Sequence, residues 1–570
     1  MLALSLPNNS SALLSLSLSL SLSLSSCFRS TMSPGLLKSL IILAILAILR
    51  LSFAFQLDDT LTYVWPLPSE FSSGDHTLSV DPALSLVVSG DGGNSSIIKD
   101  AFDRYKRIIF KHGESFSIFQ MFRYIRPAYD ISKLKIEVHS RSEELQLGVD
   151  ESYSLFVDKN DGQSIIAEAT IEANTVYGAL RGLETFSQLC MFDYGTKSVQ
   201  IYKAPWYIQD KPRFSYRGLL LDTSRHYLPI TVIKQIIESM SYAKLNVLHW
   251  HIIDEQSFPI EIPTYPKLWE GSYTKWERYT VEDAYEIVNF AKLRGINVMA
   301  EIDVPGHAES WGMGYPDLWP SASCREPLDV AKNFTFDVIS GILTDMRKIF
   351  PFELFHLGGD EVNTDCWNST SHVKQWLQDR NLTTKDAYQY FVLRAQEIAI
   401  SKGWTPVNWE ETFNTFASNL HPRTIVHNWL GGGVCPKVVA KGFRCIFSNQ
   451  GFWYLDHLDV PWDEVYEAEP LEGINITSEQ ELVLGGEVCM WAEIADTSNI
   501  QQTIWPRAAA AAERLWSRRE AISSGNITLT ALPRLHYFRC LLNRRGVQAA
   551  PVENFYARQP PIGPGSCYEL

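Results

Sequence analysis

Basic charge is scarce in this chain of 570 residues: 50 Lys and Arg stand against 65 Asp and Glu, a net charge of −15. With no long Lys/Arg run, the sequence lacks the electrostatic footprint that a phosphate backbone demands, which excludes nucleic acid as a partner and favours neutral ones. Long apolar runs are scarce too. The stretch Ser39 to Leu49 stops at Arg50, short of the about 20 residues a membrane span needs, and nothing further along spans a bilayer. Charged residues are 20% and hydrophobic residues 45%, which excludes a disordered or fibrous chain, and no repeat of solenoid period is seen. Cysteine is sparse at nine. Cys27 lies in the leading segment, and the remaining even set suits an oxidising compartment.

What is present begins with targeting. From Met32 the sequence reads MSPGLLKSLIILAILAILRLSFA, with Lys38 near its start and Ser52 and Ala54 spaced as a cleavage site, so residues 1–54 read as leader and signal peptide. Residues 1–31 carry LSLSLSLSLS, the translation of a dinucleotide repeat. They read as sequence upstream of a start at Met32, with a bipartite presequence as the alternative. Sequons at Asn94, Asn333, Asn368, Asn381, Asn475 and Asn526 point to the secretory route and to N-glycosylation.

Residues 55–205 read as a small α+β domain on an antiparallel sheet. Lys133 to Val138 and Tyr153 to Val157 alternate as half-buried strands, and Thr175 can cap a helix whose Val176, Leu180, Leu183, Phe186 and Leu189 share a face. Residues 206–570 change texture to apolar runs alternating with helical stretches. The candidate strands are Tyr216–Leu221, Val247–Ile252, Ile296–Ile302, Leu354–Leu357, Pro406–Trp409, Ile425–Trp429, Cys445–Ser448 and Val483–Trp491. Helices fit between most of them, among them Val232–Ala243, Val281–Leu293 and Ala387–Ile400. Eight such units predict an α/β fold, a (β/α)8 TIM barrel, with its active site at the C-terminal strand ends.

Polar and aromatic residues gather at those ends: Asp222 and Arg225, His251 and Asp254, Asp303 and His307, Asp360 and Glu361, Trp409 and Glu410, Trp429, Tyr454 and Asp456, Trp491 and Glu493. In His356-Leu357-Gly358-Gly359-Asp360-Glu361 the glycines let the backbone turn sharply and bring two acids into one cleft. Adjacent carboxylates are expected to raise each other's pKa, giving one protonated acid beside one anion, the division of labour that glycoside hydrolysis requires. Neighbours in sequence, however, cannot easily flank a sugar as acid and nucleophile, so another group is expected to act as nucleophile. Seventeen tryptophans supply flat faces on which a sugar could stack.

Across nearly all of the chain after its leader, the sequence resembles the β-N-acetylhexosaminidases of glycoside hydrolase family 20, most closely the plant branch. The resemblance is carried by RGLLLDTSRHYLP, NVLHWHIIDEQSFP, DVPGHAESW, HLGGDEVNTDCW, WYLD and GGEVCMWAE in that order. It implies a retaining exo-glycosidase that releases terminal GlcNAc or GalNAc from N-glycans and chito-oligosaccharides, with the substrate's own acetamido oxygen as nucleophile and no cofactor or metal. By position, Glu361 would be the acid and base, Asp360 would hold the acetamido N–H, and Tyr454 its oxygen. Trp409, Trp429 and Trp491 would wall the pocket. Arg225, Asp456 and Glu493 would grip the outer hydroxyls, with Asp254 and His307 as a supporting dyad. The resemblance also implies disulfides Cys324–Cys366 and Cys540–Cys567, leaves Cys435 and Cys445 open, and leaves Cys190 on a helix face and Cys489 in the eighth strand buried and free. It points to a vacuolar, alternatively extracellular, protein and leaves a homodimer open.

Two rival readings remain. His249-Trp250-His251 is an H-x-H pattern that could hold a metal, as in amidohydrolase barrels. The other rival is an inactive barrel presenting its tryptophans as a lectin.

Overall fold

The computed structural model describes residues 61–111, 129–158 and 167–552. Cys27, Met32, the Ala54 cleavage site and Cys567 lie outside the described residues.

Two sheets carry the architecture. The first contains β1 (Glu70–Ser89), β2 (Ile131–Val138), β3 (Tyr153–Asp158), β4 (Ala167–Ala173), β5 (Cys190–Asp193) and β6 (Ser198–Asp210), in the order β1-β2-β4-β3-β6-β5, with β1 also paired to β6. The expected antiparallel pairing holds for β1–β6, β3–β4, β3–β6 and β5–β6, but β1–β2 and β2–β4 run parallel, so the sheet is mixed. Helices α1 (Ser96–Ile109) and α2 (Val176–Leu189) bury Ile98, Phe102, Leu180 and Leu183 in one apolar cluster with Ile136 and Leu155 of the sheet. Thr175 caps α2 as its sequence predicts, its Oγ1 accepting from the Gly178 N–H at 3.1 Å. Pro205, expected at a domain boundary, lies inside β6, which continues to Asp210.

The second sheet is a closed parallel barrel: β7 (Tyr216–Asp222), β8 (Val247–Ile253), β9 (Asn297–Ile302), β10 (Leu354–His356), β11 (Thr405–Trp409), β12 (Ile425–His427), β13 (Arg444–Phe447) and β14 (Val483–Met490). All eight expected strands are present. Among the surrounding helices are α3 (Ile230–Tyr242), α4 (Val281–Lys292), α5 (Asn333–Ile349), α6 (Thr384–Ser401) and α7 (Arg507–Trp516). Capping boxes open α4 (Thr280 with Asp283) and α6 (Thr383 with Asp386), which fixes where each helix leaves its loop. Pro506 is the N-cap of α7.

The barrel interior is layered. At the bottom each strand contributes one apolar side chain, Tyr216, Val247, Met299, Leu354, Val407, Ile425, Ile446 and Leu484. Above them, where branched aliphatics usually fill a barrel, His249, Glu301, His356, His427 and Glu487 are fully buried. A third layer of Leu220, Trp409, Tyr454 and Cys489, with Trp429 and Trp491 packed on it, opens at the C-terminal mouth. Buried ion pairs join sheet and barrel: Glu151 lies 2.7 Å from both Arg181 and Arg217, and Lys244 lies 3.0 Å from Asp210.

Candidate active site

The backbone after β10 is shaped by its glycines. Gly358 has φ 60°, and a Cβ there would sit 1.9 Å from Asp303 Oδ1, so no other residue fits. Glu361 (φ 48°) and His307 (φ 53°) adopt the same left-handed region without being glycine. Such conformations cost about 1–3 kcal/mol each and persist where surroundings enforce them. Here the enforcing contacts are the His307 N–H donating to Glu326 Oε1 at 2.7 Å and the Tyr388 hydroxyl donating to the Gly359 carbonyl.

Asp360 and Glu361 face different surroundings. The Asp360 side chain is 12% exposed and that of Glu361 59%, and His307 Nε2 stands between them, 3.8 Å from Asp360 and 3.6 Å from Glu361. The hydrogen bond from His307 lowers the Glu361 pKa below the usual range, against the opposing effect of burial. The raised carboxyl is Asp303, pushed well above its ordinary value by burial and by the Asp360 charge. Asp360 Oδ1 is buried without a hydrogen-bond partner.

On one side of these acids Arg225 gathers three carboxylates. The Arg225 guanidinium lies 3.1 Å from Asp222, 2.7 Å from Asp254 and 3.6 Å from Glu493, with its plane 5.1 Å from the Trp491 ring centre. Asp254 also meets His307 Nδ1 at 3.1 Å and His251 Nε2 at 2.8 Å. Burial would raise the Asp254 pKa, but the two imidazoles hold it well below the carboxylate range. On the other side, the rings of Trp429 and Tyr454 lie parallel within 12° at 6.2 Å, and Trp491 stands 6.0 Å from Tyr454 and 6.1 Å from Trp409. Asp456 closes this side, its carboxyl pushed up to about 6 by burial.

Sequence reasoning missed three acids that hold this frame. Glu301 accepts the Trp409 indole N–H at 3.2 Å, Glu411 accepts that of Trp429 at 2.9 Å, and Glu326 anchors His307. Burial and the Asp360 charge push Glu411 up to about 8. Glu301 did leave a signal, an acid inside the fully buried strand Asn297–Ile302.

The H-x-H pattern lies in the buried middle layer, where His249 stands close enough to Glu301 and His356, and to His427 and Glu487, for either trio to hold a metal ion. His249 lies 2.8 Å from Glu487 and 3.1 Å from Glu301, and His251 lies 2.5 Å from Glu301. Burial lowers both imidazoles, but these carboxylates override it and raise them to about 9 and about 10.

The Cys324–Cys366 bond is formed, tying the loops after β9 and β10 beside the acids. Cys435–Cys445, left open by the sequence, is a second disulfide. Cys489 is buried and free, whereas Cys190 starts β5 and is only half-buried. The expected bond from Cys540 ends on Cys567, outside the described residues. All six sequon asparagines are exposed. Among the described residues no helix is long and apolar enough to cross a membrane.

Comparison with known proteins matches residues 214–519 to "Glycosyl hydrolase family 20, catalytic domain" and residues 64–189 to "beta-acetyl hexosaminidase like". The chain is 74% identical to beta-hexosaminidase 1 of Arabidopsis thaliana over 539 residues, 94% of this chain and 100% of the relative. It is 34% identical to beta-hexosaminidase subunit beta of Homo sapiens over 86% of this chain and 88% of that one. The solved chitobiase of Flavobacterium johnsoniae superimposes with a TM-score of 0.73 at 29% identity, covering 88% of this chain and 74% of that one.

Proposed function

The chain belongs to glycosyl hydrolase family 20 as a plant β-N-acetylhexosaminidase, and on that premise we propose that it removes terminal non-reducing GlcNAc and GalNAc from N-glycans and chito-oligosaccharides with retention of configuration. The observation that carries this reading is Asp360 Oδ1, a buried carboxylate oxygen with no hydrogen-bond partner beside a cage of Trp409, Trp429, Trp491 and Tyr454. A substrate acetamide supplies what this corner lacks: an N–H for Asp360, a methyl group for the indoles and a carbonyl oxygen for the Tyr454 hydroxyl.

In the first step Glu361 gives its proton to the glycosidic oxygen. The acetamido oxygen attacks C1, the C1–O bond breaks and the alcohol leaves. The resulting oxazolinium is positively charged, and the Asp360 carboxylate opposes that charge while holding the ring N–H. Water then attacks C1 from the vacated face, Glu361 takes its proton, and the ring opens to the β-product. Glu361 must be protonated at the start, and substrate covering its exposed side chain raises its pKa by excluding water. Arg225, Asp456 and Glu493 bind the outer hydroxyls, which restricts cleavage to chain ends. Two inversions at one carbon give net retention.

The test is hydrolysis of nitrophenyl N-acetyl-β-glucosaminide, galactosaminide and glucoside, with the first anomer of the product followed by NMR. Both acetamido sugars should react to the β-anomer and the glucoside should remain almost untouched. A thiazoline mimic of the oxazolinium should bind roughly 10²-fold or more tighter than substrate, and Asp360→Asn should weaken it more than it weakens sugar binding. A covalent glycosyl ester on either acid would refute the mechanism. The signal pattern and surface sequons support a glycosylated secretory protein delivered to the vacuole, or alternatively outside the cell. Fractionation with intact-mass measurement tests this.

A further inference from the structure

Glu301 takes no part in the reaction above, yet it touches both halves of the site. Its Oε1 accepts the Trp409 indole N–H at 3.2 Å and lies 2.7 Å from His356 Nδ1, while its Oε2 lies 2.5 Å from His251 Nδ1 and 3.1 Å from His249 Nε2. From His251 the chain of contacts runs through Nε2 to Asp254 at 2.8 Å. Asp254 branches to Arg225 at 2.7 Å and to His307 at 3.1 Å, and His307 Nε2 reaches Glu361 at 3.6 Å. Glu301, His251 and Asp254 are all buried, so no water can stand in for a lost contact.

We propose that Glu301 is a positioning residue for hydrolysis: a single carboxylate fixes the Trp409 wall of the acetamido cage and, through His251 and Asp254, both the Arg225 grip and the His307–Glu361 pair. The two ends of the bound sugar are thereby registered against one anchor inside the barrel. A carboxylate held by the Trp409 indole and the His251 imidazole, with nitrogens of His356 and His249 at 2.7 and 3.1 Å, has little rotational freedom, and outer residues that orient functional ones commonly account for about 10–100-fold in activity. Charge enters as well. Burial opposes ionisation of Glu301, but His356, His251 and His249 hold it well below the ordinary range. His249 also faces Glu487, and His356 faces His427, whose ring burial keeps neutral. Removing the Glu301 anion leaves the His251 imidazolium with Asp254 alone and makes the surroundings of His307 and Glu361 more positive, which favours loss of the Glu361 proton at lower pH.

The inference rests on the roles proposed for Trp409, Arg225 and Glu361, which wild-type hydrolysis tests separately. Its own test compares Glu301→Gln and Glu301→Asp with wild type, counting active sites by titration with the thiazoline. Expected for Glu301→Gln is a kcat per active site lower by about 10–100-fold, KM within about 3-fold, and an alkaline limb of kcat/KM moved to lower pH. Glu301→Asp keeps the charge and should keep the wild-type limb while recovering part of kcat. A merely structural role would lower Tm and the titrated fraction and leave kcat per site and the limb unchanged, which would overturn the proposal, as would a limb equally displaced in both variants. Should Glu301→Gln fail to fold, ¹⁵N NMR of histidine-labelled wild type decides: His251 should carry protons on both nitrogens from pH 5 to 8, and a neutral His251 ring at pH 7 would overturn the proposal.

Discussion

Glu361 sits in left-handed backbone with most of its carboxyl in water, a position that suits a group that must meet the leaving alcohol and then a water molecule. Replacing it by Gln keeps the size and removes the proton, so activity should fall about 10²–10⁴-fold on chitobiose. The loss should be smaller on a nitrophenyl glycoside, whose leaving group needs little protonation. Equal losses on both would argue against Glu361 as the acid. Asp456 makes the opposite kind of prediction. Its folded pKa is raised to about 6 from 3.8, so the proton is favoured in the folded state. Below pH 4 the group costs nothing, and between pH 4 and pH 6 folding loses up to about 3 kcal/mol as it ionises. Asp456→Asn should therefore stabilise the protein at pH 8, leave it unchanged at pH 4, and weaken sugar binding. Urea unfolding at the two pH values checks this. These residues were legible because they stand in contiguous motifs at strand ends. Glu411 left no such signal, and although an acid in an apolar strand marks Glu301, its role comes from side chains on other strands, and no local pattern announces which strand will face it.

At the scale of elements, the barrel strands were legible because a strand buried on both faces is written as an unbroken apolar run. The first sheet was less so. β1 is mostly exposed, and register shifts near Ser73, His76 and Val80 break its alternation, so period-two reading passes over it. Alternation also cannot distinguish parallel from antiparallel neighbours, which is why the parallel β1–β2 and β2–β4 pairs depart from the antiparallel expectation. Loop chemistry carries its own prediction. Cys324–Cys366 closes a sequence separation of 42, which on the chain-entropy account is worth about 4 kcal/mol, against about 3 for the separation of 10 at Cys435–Cys445. Replacing Cys324 and Cys366 by Ser should lower the unfolding free energy by about that amount. It should lower kcat too, because Glu326, two positions after Cys324, holds the backbone of His307. The Cys435/Cys445 pair should cost stability alone. Denaturant titration and kcat on the two double variants separate these effects.

For the whole molecule, the joint between sheet and barrel is ionic. Glu151 sits between Arg181 and Arg217, and although burial opposes its charge the two guanidinium groups hold its pKa low. Glu151→Gln leaves two buried cations facing one another and should cost about 3–5 kcal/mol. If sheet and barrel unfold as one unit, calorimetry will show a single transition at lower temperature. Two separated transitions would mean that the joint had been carrying their cooperativity. The six exposed sequon asparagines predict a mass loss on glycosidase treatment, since glycans at buried sites could not be accommodated. The layout of aromatic residues gives the molecule a built-in optical reporter. Nine tryptophans are sealed from solvent and Trp276 is 79% exposed; of the nine only Trp409 lines the pocket, and it is already out of water before a sugar binds. Trp429 and Trp491 alone line the pocket half-exposed, and a sugar covering them replaces water with a less polar surface. Intrinsic emission should therefore shift to shorter wavelength on ligand binding, Trp429→Phe and Trp491→Phe should each remove part of the shift, and occupancy can be followed by fluorescence with no label and no turnover.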